Sequence, residues 1–182
     1  MSAFFEFSIT NPLANDFIRY WSNFYDYPDN WKYEQNIGRA LTPQSVQLLY
    51  EWKNGGKMSE AKSRSVSENY PTCPPEFPEK RYLSADDSGG AIWNIFYLHL
   101  TDREKWPIFD QHAYRSMKFI QCGKIQQIPS NKRRIYEIYQ REYIPFFNSL
   151  VEDDKRIVDK ALFSCGRFLK IAGAYKESLL RA

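Results

Sequence analysis

Asp110, His112 and Arg115 fall within six residues of one another, inside a stretch that reads WPIFDQHAYRSMKF from Trp106 to Phe119. Trp106-Pro107 favours an extended approach, because proline fixes its own φ and pushes the residue before it out of the helical region. A helix can then start at Asp110, whose carboxylate suits a cap and the positive end of the helix dipole. An acid, an imidazole and a guanidinium are thereby gathered at one helix entrance, with Asp110 as the candidate catalytic group and His112 and Arg115 as its support. The simpler reading of the same residues is an N-cap with a solvated polar face.

The elements that must position these side chains read as helices. Thr42-Pro43 offers a cap followed by a proline at the first helical position. Val46, Leu48, Leu49 and Trp52 supply an apolar face, and Asn54-Gly55-Gly56 a stop. Further helices are expected from about Ala14 to Tyr25 and from Ser59 to about Asn69. Tyr70 to Pro78, with four prolines, is expected to be a loop. Asp87 or Ser88 can cap a helix running to Leu100 that is apolar almost all round, as a buried central helix would be. His99 lies on that helix with Ile92, Ile95 and Phe96, and reads as a hydrogen-bonded core histidine. Two longer helices close the chain: Ser130 to about Leu150, and Asp153 to about Ala172 with a stop at Gly173. Nothing alternates as a sheet, so the expected class is all-α: one compact helical domain over 1–182, or two small helical lobes around a cleft.

Composition narrows the function classes. At 43% hydrophobic and 17% aromatic the chain is globular rather than disordered. No apolar run approaches the roughly 20 residues that span a bilayer, and the opening MSAFFEFSITN lacks the basic region of a signal peptide. Cys73, Cys122 and Cys165 are isolated, which argues against a disulfide framework and for a soluble cytoplasmic protein in a reducing compartment. His99 and His112 are the only histidines and have no neighbours at metal-ligand spacing. There is no phosphate-cradling or dinucleotide glycine motif. No metal and no cofactor are expected.

The charge is uneven. From Gln111 to Tyr136 there is no acid, while Arg115, Lys118, Lys124, Lys132, Arg133 and Arg134 contribute +6, against a whole-chain net charge of +3. Such a span can form a surface suited to phosphates, and DNA is the partner it points to.

A buried helix, a short connection and then Asp110-Gln111-His112-Ala113-Tyr114-Arg115 resembles the active-site region of the helix–hairpin–helix DNA glycosylases, the superfamily of endonuclease III and 8-oxoguanine glycosylase. The resemblance covers about Tyr82 to Phe119. It implies that Asp110 stabilises the positive charge that develops on the sugar as a base–sugar bond breaks, and orients a water. It also implies a base rotated out of the stack and held by aromatic groups, for which Trp21, Tyr25, Trp31 and Trp93 are candidates. The family's hairpin corresponds to Leu83-Ser84-Ala85-Asp86-Asp87-Ser88-Gly89-Gly90, where Gly89 and Gly90 stand for the phosphate-binding glycines beside two acids. No lysine occurs between Lys80 and Lys105, so the resemblance implies a monofunctional hydrolase without a Schiff-base step. A non-catalytic nucleic-acid or protein-binding module and a hydrolase of free nucleosides remain as alternatives.

Overall fold

The computed structural model describes residues 15–181, with side chains from 16 to 174. The expectations that fall on MSAFFEFSITN and on Ala14 lie outside the described residues. No strand occurs among the described residues, and the fold class is all-α. None of the described helices is long and apolar enough to cross a membrane. The chain divides into two compact units that share it alternately: one holds 15–25, 111–127 and 146–181 of the described residues, the other 26–110 and 128–145.

In the unit built from 26–110 and 128–145, helix α2 (Asn30–Glu34) leads to α3 (Pro43–Asn54). Thr42 and Ser45 cap α3 reciprocally: the Thr42 hydroxyl accepts the Ser45 amide at 3.1 Å, and the Ser45 hydroxyl accepts the Thr42 amide at 2.8 Å. Gly55, at φ 79°, closes it, with its amide on the Trp52 carbonyl and the Gly56 amide on that of Glu51. Ser59 caps α4 (Glu60–Asn69).

The proline-rich segment then ends sooner than expected. Pro78 takes the first position of a short helix, α5 (Pro78–Tyr82), where its missing N–H costs nothing. Helix α6 (Ala91–Thr101) is the centre of this unit; Ile95, Phe96, Tyr97 and Leu98 are all fully buried. Neither Asp87 nor Ser88 caps it, because Gly90 occupies the capping position and no side-chain bond is made there.

The Ser130–Leu150 helix is realised as α8 (Lys132–Ile138), a π turn (Tyr139–Tyr143) and α9 (Ile144–Ser149), with the unit boundary inside α9. Asn131, rather than Ser130, caps α8 by accepting the Arg134 amide at 2.9 Å.

The other unit packs α1 (Asn15–Ser22), α7 (Gln111–Cys122) and α10 (Lys155–Arg181). Helices α7 and α10 meet at Gly166, where a Cβ would stand 2.6 Å from the His112 carbonyl carbon and 2.8 Å from its Cα. Only glycine permits that approach. Arg115 Nη1 donates to the Gly166 carbonyl at 2.9 Å, and the Ser116 hydroxyl donates to that of Leu162 at 2.6 Å, stitching the two helices through backbone oxygens. Gly173 does not stop α10, which continues to Arg181. A helix-interior glycine costs roughly 1 kcal/mol, an amount that tertiary packing absorbs.

Candidate functional site at the segment ahead of Asp110

The segment from Trp106 to Phe109 is neither helix nor strand, and it is buried: Trp106 is 7% exposed, Ile108 7% and Phe109 0%. Buried backbone carbonyls outside any ladder must find donors or forfeit their solvation. Four consecutive carbonyls here are each met by one side chain. His99 Nδ1 lies 2.7 Å from the Trp106 oxygen, Tyr139 donates to Pro107 at 2.9 Å and Tyr143 to Ile108 at 2.9 Å. Lys53 Nζ approaches the Phe109 oxygen at 3.4 Å. The donors come from α6, the π turn and α3, so three elements hold one short length of chain.

His99 is fixed from both sides, since its Nε2 lies 2.7 Å from the Tyr33 hydroxyl. A carbonyl can only accept, so Nδ1 carries the proton and Nε2 accepts from Tyr33 in the neutral tautomer that satisfies both bonds. The expectation of a hydrogen-bonded core histidine holds.

Asp110 follows this clamp and directly precedes α7. Its Oδ2 lies 3.2 Å from Lys53 Nζ; the lysine side chain is 6% exposed and that of the aspartate 23%. The same ammonium stands 5.6 Å from the centre of the Phe96 ring. Lys53 thus binds the carboxylate and the carbonyl just before it, setting the direction of Asp110 as it leaves the clamp. Lys53, Tyr139 and Tyr143 had no local signal as site residues; each reaches this segment from a distant part of the chain.

The unit boundary falls between Asp110 and Gln111, so His112 and Arg115 belong to the other unit. The His112 ring packs against Phe163 at 4.9 Å, and its Nδ1 lies 3.2 Å from Arg115 Nη1. Arg115 is only 1% exposed, with Nη2 3.4 Å from Gln127 Oε1 in addition to its bond to Gly166. It is therefore a helix-packing residue and adds nothing to a positive surface, which corrects its place in the +6 span.

The remaining cations are divided as well. Lys118, over the Tyr114 ring at 5.8 Å, and exposed Lys124 are in the unit of α7. Lys132, Arg133 and Arg134 are in the other. Lys132 donates to the Asp87 carbonyl, and Arg134 pairs with Glu137 at 3.1 Å and Glu142 at 3.3 Å, while Arg133 is exposed. The candidate aromatics also split. Trp21 and Tyr25 belong to the α1–α10 unit, exposed Trp31 and half-buried Trp93 to the other.

The loop of Gly89 and Gly90 is set by a buried polar network. Fully buried Asn94 accepts from the Tyr70 hydroxyl at 2.7 Å and donates to the Tyr136 hydroxyl at 2.9 Å and the Ser88 carbonyl at 3.1 Å. Burial pushes the Tyr136 phenol up to about 12 and those of Tyr50, Tyr70, Tyr82 and Tyr97 upward too. Gly89 has φ 84°, and a Cβ on it would run into Asn94 Oδ1 and stand 2.7 Å from the Tyr70 oxygen. Its glycine thus has a packing cause, whereas a Cβ on Gly90 would meet none of the described residues.

Among the described residues, no cluster of three or more His, Cys, Asp or Glu could hold a metal ion. No family model, no curated protein and no solved structure matches this chain.

Proposed function

We propose that this chain hydrolyses the base–sugar bond of a damaged or modified nucleotide in DNA, with Asp110 as the reacting carboxylate and no Schiff-base step. The observation that carries the reading is the mounting of Asp110: a partly accessible carboxylate at the end of a segment whose four preceding carbonyls are held one by one. A group that must face a sugar cation in the transition state gains from such fixed placement, because no reorganisation is then needed at the moment of reaction. Buried α6, which precedes Asp110 in the chain, supports the reading. Exposed Lys124 in one unit and exposed Arg133 in the other support a partner that carries phosphates.

A second reading, a binding module without catalysis, is favoured by the Lys53–Asp110 ion pair. An ammonium already against the carboxylate explains the aspartate as a tether between α3 and the clamp, and it offsets part of the negative charge that a sugar cation would feel.

Incubation of the chain with duplex oligonucleotides carrying uracil, hypoxanthine or alkylated bases separates the two. Alkali-labile sites at the modified position, fewer at higher salt, support hydrolysis. Duplex binding with no released base across the panel supports the module.

A further inference from the structure

Helix α10 carries a second pattern on the face opposite its core stripe. Arg156, Lys160, Arg167 and Lys170 are spaced by four, seven and three residues, which keeps them on one side of a 3.6-residue helix. From 155 to 174 the only acid is Asp159, and it is 9% exposed. Val158, Ala161, Leu162, Cys165 and Leu169 are buried on the opposite side, so the apolar stripe is already used.

Aromatic rings of α1 and of the residues just after it lie along α10, and one of them, Tyr25, meets the cations directly. Tyr20 and Phe24, on and just after α1, are 58% and 57% exposed, with ring centres 5.0 Å apart. Trp21 joins them to α10, lying 6.0 Å from Phe24 and 5.3 Å from Phe168, itself 38% exposed. Farther along, Tyr25 receives Arg156 Nη2 on its hydroxyl at 3.0 Å and has Lys160 Nζ 5.5 Å from its ring centre.

We infer that this α1–α10 face binds single-stranded nucleic acid, with Tyr20 and Phe24 stacking on unpaired bases while Lys160, Arg167 and Lys170 take the phosphates. Cations in a row supply backbone attraction without sequence preference, and flat exposed rings supply stacking that a closed duplex cannot use. The stripe from Arg156 to Lys170 is about 21 Å long at the helical rise, room for a few nucleotides. A lipid surface fits less well: the buried stripe of α10 is taken up by packing within the unit, which leaves Tyr20, Phe24, Phe168 and Ile171 as the exposed apolar groups, mostly flat rings suited to stacking. The inference shares its partner class with the reading above but does not rest on hydrolysis. Asp110→Asn should leave this binding unchanged, so either can fail without the other.

Fluorescence anisotropy of the full chain with a short labelled oligothymidylate, and with a duplex of equal length, tests it. Tight single-strand binding at low salt is expected, with a weaker duplex. Lys160→Glu with Lys170→Glu, and separately Tyr20→Ala with Phe24→Ala, should each weaken single-strand binding about tenfold or more. Helical circular dichroism of each variant, matching that of the parent, confirms that the fold is intact. Three results would overturn the inference. They are no single-strand binding at low salt, ring variants that bind as well as the parent, or association with phosphatidylglycerol vesicles in place of the oligonucleotide.

Discussion

Tyr143 donates its phenol to the Ile108 carbonyl at 2.9 Å, across thirty-five positions of chain. Tyr139, four residues earlier and at the other end of the π turn, does the same for Pro107. These bonds hold a buried segment outside any helix, in a chain with no strand among its described residues, and they decide where Asp110 leaves that segment.

Removing either phenol should be costly in proportion to the carbonyl it abandons. Tyr143→Phe and Tyr139→Phe are each expected to lower stability by about 1–3 kcal/mol, since an acceptor is left buried and unsatisfied. Urea unfolding monitored by circular dichroism measures this. A loss under a few tenths of a kcal/mol for both would mean that the clamp contributes nothing.

The two glycines of α10 should respond with opposite signs. Gly166→Ala drives a methyl into the His112 backbone and should destabilise by about 1–3 kcal/mol or more. Gly173→Ala meets Ile125, at 3.5 Å, among the described residues, and should stabilise by about 0.4–1 kcal/mol by restricting the unfolded chain. Thermal melts of the two variants against the parent give the comparison.

Alkaline pH should unfold the protein through its tyrosines. The Tyr50, Tyr70, Tyr97 and Tyr136 phenols are raised above the ordinary 10.0, so above that pH the folded state holds protons that the unfolded state has released. Stability must therefore fall as pH rises past the ordinary phenol value. Lys32, raised chiefly by its hydrogen bond to Glu51, adds a contribution that is complete below 10.5 and lost as pH climbs through its folded value. On the acid side Glu51, lowered chiefly by Lys32, stabilises above 4.5 and ceases to as pH falls through its folded value. Tyrosinate absorbance should rise in two stages, the second coinciding with loss of the helical signal. A single non-cooperative titration of all tyrosines would contradict the buried network.

The Lys53–Asp110 pair should show coupling. Lys53→Met and Asp110→Asn, alone and together, are expected to give an interaction energy of about 1 kcal/mol. Because Asp110 is 23% exposed, this lies below the range of fully buried pairs. Denaturant unfolding of the four proteins measures it, and additivity would remove the tether.

Local chemistry was the legible part of this chain. The Thr42 cap, the Gly55 stop and the core role of His99 each follow from a few adjacent residues, and the helical class follows from apolar spacing. The clamp was not legible, because Lys53, Tyr139 and Tyr143 lie 57, 32 and 35 positions from their partners at Asp110, Pro107 and Ile108. Arg115 misled because composition records its charge but not the side of α7 it occupies. Gly173 misled because a stop and a tolerated helix glycine have the same letter. The cations of α10 follow the same spacing rule as its apolar stripe, which dominates the pattern of that helix.

The most direct measurement is a single-turnover assay of the parent and Asp110→Asn on the same modified duplex, scored by alkali-labile strand breaks. The parent should release the base and the variant should not, while both keep the same helical spectrum and the same affinity for the duplex. Equal rates for the two proteins would contradict Asp110 as the reacting carboxylate.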